Sequence, residues 1–284
     1  MLFLGLGFLS WFIFLIFPVF WVACLQEDSI SHHYIDFKGV SFIYPDNTQA
    51  LSDINLHICH GESVGIIGAN GAGKSTLLEL ITGILLPQEG EIVVGGIAVT
   101  KKTLASIRRH VGFTFQNPDN QVFMNTVWED VAFGPRNYLL SEEAVEKKVT
   151  AALETMGILH LKDRPPYRLS GGEKRSAAIA SVLALEPDIL LMDEPSSDLD
   201  PRARRKLIAL INQFTHTKLI TSHDLDLVLE TCKRVIVLHK GTVVYDGSPI
   251  EVFKDEKSLH TWGLEKPLTM SDCLVCDSKK NRGQ

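Results

Sequence analysis

The chain has 284 residues, with 28 Lys and Arg against 34 Asp and Glu, and a formal net charge of −6. This acidic balance argues against a protein whose whole surface binds nucleic acid or anionic lipid, because such partners require a basic field. Hydrophobic residues make up 45% of the chain and charged residues 22%, which excludes a mainly disordered protein, and five cysteines in this length do not make a disulfide framework.

The first 30 residues form a strongly apolar segment. Residues 1–25 are apolar apart from two glycines, a serine and a proline, and no charged residue precedes Glu27. A helix of this length would measure roughly 36 Å, which exceeds the bilayer core of about 30 Å. A cleavable signal peptide fits less well, because no basic residue precedes the apolar run and the run is too long. A membrane anchor and a gene start assigned too far upstream are the two interpretations that stay open for residues 1–30.

Residues 31–265 have the pattern of one mixed α/β domain. Short β-rich runs alternate with amphipathic helical stretches, and some runs are apolar throughout, as in Ile189–Met192. Continuously apolar strands favour a parallel sheet that is covered on both faces. The predicted strands are Tyr34–Tyr44, Leu51–Ile58, Ser63–Ile67, Glu91–Val94, Val111–Phe115, Ile189–Met192, Lys218–Thr221, Val235–Leu238 and Thr242–Tyr245. The predicted helices are Ser75–Gly83, Glu142–Met156 and Gly172–Leu185.

The last 19 residues, 266–284, lose this periodicity, and we expect a mobile C-terminal tail there. Cys273 and Cys276 form a lone CxxC pair within this tail. Two thiolates complete only half of a tetrahedral zinc site, so an incidental pair is favoured over a metal or redox site.

The strongest motif lies between a predicted strand and a predicted helix and matches GxxxxGK[ST], the phosphate-binding P-loop. It consists of Gly68, Ala69, Asn70, Gly71, Ala72, Gly73, Lys74, Ser75 and Thr76. Glycines let the backbone wrap so that successive N–H groups point at phosphate oxygens, and the helix N-terminus adds positive partial charge. Lys74 would reach the β- and γ-phosphates of a nucleoside triphosphate, and the Ser75 hydroxyl would bind Mg²⁺. The competing interpretation, a glycine-rich turn with a chance Lys-Ser pair, is disfavoured by the flanking elements.

A second motif, Asp193 followed by Glu194, comes directly after the apolar run ILLM. Ligands collect at the carboxyl ends of parallel strands, where this acidic pair would lie. Asp193 would hold Mg²⁺ through water, and Glu194 would polarise an attacking water as a general base. The competing interpretation is an ordinary strand that ends in two solvated carboxylates.

Further features follow a recognisable order along the chain. They are Tyr44 in FIYPD, Gln116 in FQNPDNQ, the signature run LSGG with Ser170, Gly171 and Gly172, the D-loop SDLD at residues 197–200, and His223 in TSHD. Together with the P-loop and the acidic pair, this set resembles the ATPase domain of ATP-binding cassette (ABC) proteins, from about Ile35 to Phe253. The resemblance implies an α/β fold of the P-loop NTPase class, an ABC-type nucleotide-binding domain with an antiparallel β subdomain. It also implies a helical signature subdomain at about residues 117–185.

The resemblance also implies roles for these residues. Tyr44 would stack on adenine, Gln116 would contact Mg²⁺ and water, and His223 would contact the γ-phosphate. The implied catalytic residues are Glu194, His223, Lys74 and Gln116, and the implied metal-binding residues are Ser75, Gln116 and Asp193. The implied cofactors are ATP and Mg²⁺.

Partners follow from the same resemblance. ABC ATPases pair head to tail, so Ser170, Gly171 and Gly172 would bind the ATP that the P-loop of a second chain holds. The sequence has one P-loop and one signature, so we expect a homodimer or a heterodimer with a related ABC ATPase, and no nucleic-acid partner. Transmembrane permease subunits would form the transport pathway, and this chain would be peripheral on the cytoplasmic face of the plasma (inner) membrane.

Three runs point to one branch of the family. FTFQNPDNQVF around Gln116, VWEDVAFGP at residues 127–135 and DEPSSDLDPRARRKL most resemble the cobalt/nickel and vitamin energy-coupling-factor importers. The resemblance implies a subunit that hydrolyses ATP to energise the import of cobalt, nickel or a vitamin. The alternative is a non-transport ABC ATPase that acts in DNA repair or on ribosomes. Such proteins usually show two cassettes or a long coiled-coil insertion, and this sequence shows neither.

The chain departs from the family pattern in the predicted signature helix, where Ser176 replaces the usual arginine. One charged contact is then either missing or made by Arg175. The basic run RARRK at residues 202–206 follows the D-loop, and we interpret it as the solvated face of a helix.

Overall fold

The computed structural model describes residues 34–270. The described residues all belong to one compact unit. The apolar segment of residues 1–30 and the CxxC pair lie outside the described residues. No helix within the described range is long and apolar enough to cross a membrane.

Ten strands lie within the described residues and form two sheets. They are β1 (Ile35–Ile43), β2 (Gln49–Ile58), β3 (Ser63–Ile67), β4 (Glu89–Val94), β5 (Ile97–Ala98), β6 (Val111–Thr114), β7 (Ile189–Asp193), β8 (Thr217–Thr221), β9 (Arg234–His239) and β10 (Thr242–Gly247). The smaller sheet is antiparallel, with the order β2-β1-β4-β5. The larger sheet has the order β10-β9-β3-β8-β7-β6, in which β10 is antiparallel to β9 and every other pair is parallel.

The same part of the chain contains nine α-helices. They are α1 (Lys74–Ile81), α2 (Leu104–His110), α3 (Val127–Asn137), α4 (Glu142–Met156), α5 (Gly171–Leu183), α6 (Pro201–Gln213), α7 (Leu225–Thr231), α8 (Pro249–Val252) and α9 (Glu256–Thr261). Their ends follow local chemistry, as α4 illustrates. The Ser141 side chain accepts a hydrogen bond from the Ala144 N–H, and Gly157 ends the helix in a left-handed conformation with φ 71°.

Burial of the strands follows their hydrophobic patterns. Strands β3, β7 and β8 are buried at every position, as expected for the centre of a parallel sheet that is covered on both faces. In β1, buried residues alternate with more exposed ones, so one face of the antiparallel sheet packs on the core. The confirmed fold class is therefore α/β, with a separate antiparallel sheet.

Two hydrophobic clusters cover opposite faces of the larger sheet. Ile66 and Leu191 belong to the cluster that joins this sheet to α1 and the antiparallel sheet. Their neighbours Ile67 and Met192 belong to the cluster that includes α3, α4 and α5. Burial of each such aliphatic side chain stabilises the folded state by about 1.5–3 kcal/mol. Both faces of the parallel sheet are therefore covered by packed side chains. The loops that follow its strands leave from the carboxyl edge.

Candidate functional site

The loops of the candidate site leave one edge of the larger sheet. Strands β3, β8, β7 and β6 are neighbours and run parallel, so their carboxyl ends meet at the same edge. The P-loop follows β3 and Gln116 follows β6, while Glu194 and His223 follow β7 and β8. The structure therefore brings the predicted catalytic residues to a common edge.

Close packing explains two of the P-loop glycines. A Cβ on Gly68 would lie 2.3 Å from the carbonyl oxygen of Leu238, and a Cβ on Gly73 would lie 2.6 Å from that of Ala50. Gly73 also has φ 104°, which other residues rarely adopt. The loop is thus held between β2 and β9, and only glycine fits at these two points.

The lysine of the P-loop lies inside the loop. Lys74 is the first residue of α1 and is 8% exposed. Its ammonium donates hydrogen bonds to the carbonyl oxygens of Gly68 at 2.8 Å and Ala69 at 3.3 Å. These hydrogen bonds offset the cost of burying a charge. A positive charge beside the N-terminus of a helix is an arrangement that suits a polyphosphate.

Tyr44, the predicted adenine-stacking residue, lies beside the first turn of α1. Its hydroxyl is 3.0 Å from the hydroxyl of Thr76. Its ring meets the Phe42 ring edge-on, with the ring centroids 5.0 Å apart. Tyr44 is therefore anchored next to the P-loop, and stacking on adenine stays a prediction.

The acidic pair at the end of β7 is buried and hydrogen-bonded to residues at the end of β8. Asp193 is 4% exposed, and its Oδ1 accepts a hydrogen bond from the Thr221 hydroxyl at 2.5 Å. Glu194 Oε2 accepts a hydrogen bond from the backbone N–H of His223 at 3.1 Å and lies 2.7 Å from His223 Nδ1. The predicted base and the predicted γ-phosphate sensor are thus in direct contact.

The two members of this contact differ in exposure. The Glu194 side chain is 6% exposed, whereas the His223 side chain is 69% exposed. An exposed imidazole whose inner nitrogen is held by a carboxylate can present its outer nitrogen to a ligand. Glu194 also has a left-handed backbone, with φ 47°, and strained backbone of this kind concentrates at functional sites.

The residues at this edge fit a magnesium ion. Ser75, Gln116 and Asp193 offer hydroxyl, amide and carboxylate oxygens, the hard donors that Mg²⁺ prefers. Burial and then repulsion from Asp193 raise the pKa of Glu79 on α1, so negative charge is concentrated where a cation would relieve it. Within residues 34–270, no group of three or more His, Cys, Asp and Glu could hold a metal by itself. Such a site suits Mg²⁺ that is held largely by phosphates and water.

A buried arginine ties Gln116 to the signature helix. Arg175 on α5 is 1% exposed, and it donates to the carbonyl oxygen of Phe115 at 2.7 Å and to that of Gln116. Ser176, at the position where the family usually has arginine, is buried beside it. Arg175 therefore makes a charged contact in this helix, which was one of the two outcomes left open. The Gln116 side chain itself is exposed.

The signature lies at the start of α5, on the helical part of the domain. The N–H and hydroxyl of Ser170 donate to Glu173 Oε2 at 2.8 and 2.9 Å, and these hydrogen bonds lower the pKa of Glu173. A Cβ on Gly171 would lie 3.7 Å from the Asp198 Cβ, and one on Gly172 would lie 3.6 Å from the Asp198 carbonyl oxygen. Across the described residues, no hydrogen bond joins the signature to the P-loop. The structure therefore brings the signature to the D-loop and not to the P-loop of its own chain.

The interpretation of residues 202–206 as a solvated face is wrong for Arg204. Its guanidinium donates to both carboxylate oxygens of Asp224, at 2.7 and 3.1 Å, and to Glu230 at 3.3 Å. The side chains of Arg204 and Asp224 are 26% and 23% exposed. A bidentate ion pair therefore joins the helix after the D-loop to the residue that follows His223.

The sequence holds a signal that predicts the inward position of Arg204, although not its partner. Leu207, Ile208 and Ile211 form the buried face of α6. Arg204 precedes them by three, four and seven residues, so helical periodicity places it on the same face. Its neighbours Arg202 and Arg205 are exposed.

Comparison with known proteins identifies relatives over most of the chain. A family model described as ABC transporter matches residues 51–197. A candidate ABC transporter ATP-binding protein of Geobacter sulfurreducens is 52% identical over 247 residues, which is 87% of this chain and 99% of that protein. The energy-coupling factor transporter ATP-binding protein EcfA of Methanothermobacter thermautotrophicus is 42% identical over 240 residues, 83% of this chain and 77% of that protein.

Solved structures agree with these relatives. The cbiO1 protein of Clostridium perfringens, part of the ABC transporter complex cbiONQ, has a TM-score of 0.69 and 38% identity, covering 80% of this chain and 93% of its own. A dimeric ATP-binding cassette in a post-hydrolysis state, bound to ADP and phosphate, has a TM-score of 0.71 and 30% identity, covering 76% of this chain and 98% of its own.

Proposed function

Because the chain belongs to the ABC transporter family, as an ATPase subunit, we propose that it energises a multi-subunit importer of the energy-coupling-factor type. ATP hydrolysis linked to transport follows from the family match and from the relatives. The chain is most like the energy-coupling-factor and cobalt group, whose members include EcfA and cbiO1. The cargo that we propose is cobalt, nickel or a vitamin. This proposal rests on the three sequence runs that resemble the energy-coupling-factor importers and on those relatives.

One observation carries the dimeric part of the proposal: the proposed catalytic residues and the signature are separate within the chain. Glu194 and His223 contact each other at the sheet edge from which the P-loop also leaves. Ser170 instead packs with Glu173 at the start of α5. An ATPase divided in this way is complete only when a second chain supplies its signature.

The roles that we propose for the residues at the edge follow from their contacts. Lys74 and the N–H groups of the P-loop bind the β- and γ-phosphates. Mg²⁺, when bound through Ser75, Gln116 and Asp193, neutralises charge on the phosphates. His223 holds Glu194 Oε2, so the other carboxylate oxygen of Glu194 is left to take a proton from the attacking water.

The proposed assembly is a head-to-tail dimer, either of this chain with itself or with a related ABC ATPase. In it, Ser170, Gly171 and Gly172 of one chain would bind the γ-phosphate held by the other, using the α5 N-terminus. The dimeric state of a solved relative bound to ADP and phosphate supports this arrangement. ATP would then favour the closed dimer, and hydrolysis would let it open.

We assign the permease contact to an exposed aromatic pair in the segment that follows Gln116 along the chain. Phe123 and Phe133 are 64% and 42% exposed, and their rings meet edge-on with centroids 5.2 Å apart. Asp130 fixes this segment by accepting hydrogen bonds from the Phe123 N–H at 2.8 Å and the Met124 N–H at 2.9 Å. Contiguous exposed apolar surface marks sites of protein–protein interaction, and the two rings in contact form such a surface. A permease at this surface would keep the chain peripheral, on the cytoplasmic face of the plasma membrane.

Co-purification tests the proposal. The affinity-tagged chain, expressed with the genes that neighbour its own, should carry transmembrane subunits, and the complex in vesicles should accumulate one of cobalt, nickel or a vitamin when ATP is supplied. Replacing both Phe123 and Phe133 with serine should release the permease, whereas Ile250→Ser, at a distant residue that is 54% exposed, should retain it. Capture of ribosomes or DNA-repair proteins instead would favour the alternative, a non-transport ABC ATPase.

A further inference from the structure

The loops after β7 and β8 are joined by paired side chains. Glu194 Oε2 lies 2.7 Å from His223 Nδ1. Asp224 directly follows His223, and its N–H donates a hydrogen bond to the Ser222 hydroxyl at 3.0 Å. The loop that carries Asp224 is therefore attached, through His223, to the proposed catalytic base.

Asp224 is the junction of several contacts. Both of its carboxylate oxygens accept hydrogen bonds from Arg204, at 2.7 and 3.1 Å, and Oδ1 also accepts one from the Leu227 N–H at 2.9 Å. Burial alone would raise the pKa of Asp224, but the hydrogen bonds from Arg204 and Leu227 outweigh it and lower the pKa. Asp224 is thus an ionised group that α6 and the first turn of α7 hold.

The loop after β7 also reaches the signature. Asp198 has a left-handed backbone, with φ 63°, and it lies against Gly171 and Gly172. This loop therefore contacts the signature through Asp198 and the exposed histidine through Glu194. In the proposed dimer, the signature contacts the ATP that the partner chain holds, whereas the histidine contacts the ATP that its own chain holds.

We propose that the Arg204–Asp224 ion pair is a positioning device for ATP hydrolysis, which holds the loop after β8 so that His223 keeps its contact with Glu194. This inference rests on the proposed roles of Glu194 and His223. Arg204 bonds to Asp224 and Glu230, so its effect on the histidine passes through Asp224, the next residue along the chain. Loss of the pair should slow turnover and leave the affinity for ATP unchanged, because no hydrogen bond or ion pair among the described residues joins either residue to the P-loop.

The geometry separates this role from plain stabilisation. A partly exposed ion pair contributes little to folding. A bidentate arginine–carboxylate pair, in contrast, fixes orientation, and lysine cannot reproduce its two parallel hydrogen bonds. The conservative change to lysine should therefore retain charge and fold while losing part of the rate.

The test compares purified Arg204→Gln, Arg204→Lys and Asp224→Asn with the matched control Arg205→Gln, an exposed arginine next along the same helix. Steady-state kcat and KM for ATP, equilibrium binding of a fluorescent ATP analogue and the thermal midpoint are measured for each. We expect Arg204→Gln and Asp224→Asn to lower kcat about tenfold, with ATP affinity within about twofold of the parent. Arg204→Lys should recover about a third of the rate, and Arg205→Gln should match the parent.

Two results would overturn the inference. One is a parental kcat in Arg204→Gln and Asp224→Asn. The other is a joint fall of kcat, ATP affinity and thermal midpoint, which would make the pair a purely structural contact. Failure to find a permease would contradict the importer proposal but would not change these ATPase rates. The failure of one proposal can therefore be distinguished from the failure of the other. A parental rate in Glu194→Gln would remove the base on which this inference rests.

Discussion

The carboxyl edge of the larger sheet and the start of α5 would supply the two sides of an ATP site in the proposed dimer, and the two regions differ sharply in burial. At the edge, Lys74, Asp193 and Glu194 are 8%, 4% and 5% exposed, and each is hydrogen-bonded to its own chain. At the start of α5, Ser170 and Gly171 are exposed, and Glu173 holds the serine hydroxyl. Substitutions in the buried region should therefore act within one chain, whereas substitutions in the exposed region should act only when a second chain is present.

The largest expected effect comes from removing the buried charge at the edge. Lys74→Ala should weaken ATP binding and abolish turnover together, because the ammonium that would bind the phosphates is lost. Filter binding of radiolabelled ATP and phosphate release measure both properties. Lys101→Ala, at an exposed lysine ahead of α2, is the control and should behave as the parent. Normal ATP affinity in Lys74→Ala would contradict the assignment of the P-loop.

The next effect separates binding from chemistry at the same edge. Glu194→Gln should keep ATP affinity, trap a closed dimer and lower turnover by about 100-fold or more, since the amide cannot accept the proton of the attacking water. Light scattering with ATP and a phosphate-release assay follow the dimer and the rate. Glu146→Gln, on the exposed face of α4, should have no effect. Hydrolysis by Glu194→Gln at the parental rate would show that another group is the base.

A smaller effect probes the exposed region. In a mixed dimer with one chain carrying Ser170→Arg, we expect loss of the single ATP site formed by the P-loop of the other chain, or about half of the hydrolytic capacity. Single-turnover hydrolysis, with the two P-loops distinguished by a crosslinking ATP analogue, identifies which site is lost. Leu268→Arg, at an exposed residue of the C-terminal region, is the control. Loss confined to the P-loop of the mutant chain itself would rule out the head-to-tail arrangement.

The smallest effect concerns charge around the buried edge. Burial and then Asp193 raise the pKa of Glu79 above its usual value, so its ionisation destabilises the fold at neutral pH, and this penalty vanishes once pH falls below the unfolded pKa. Glu79→Gln should therefore raise Tm at pH 7 by about 2 °C, with no gain below about pH 4. Calorimetry across this pH range checks the result, with exposed Glu154→Gln as the control. An equal gain at both pH values would contradict the electrostatic cause.

Much of the fold could be predicted because its signals are local. The predicted strand Ser63–Ile67 has the same bounds as β3, since an apolar run is closed by the first glycine of the P-loop. The predicted helix Glu142–Met156 coincides with α4, since Ser141 and Gly157 mark its two ends. Helix α3 was not assigned residue by residue, because Gly134 and Pro135 lie inside it and break the usual pattern.

The contacts of the site were less predictable, because their partners are distant in sequence. Arg175 reaches carbonyl oxygens about 60 residues earlier in the chain, and Arg204 pairs with Asp224, which immediately precedes α7. A motif identifies residue types at fixed spacing and contains no information on such pairs. Motif order did place Glu194 and His223 at one edge, but their direct contact depends on the register of β7 beside β8.

The left-handed backbone at Glu194 has a consequence for engineering this protein. Glycine or asparagine would adopt φ 47° at lower cost than glutamate, by about 1 kcal/mol. A dimer of this chain would carry that cost twice, at the two positions where turnover takes place. Directed evolution that selects only for thermal stability should therefore replace Glu194 with glycine or asparagine. The selected variants would gain thermal stability and lose ATPase activity.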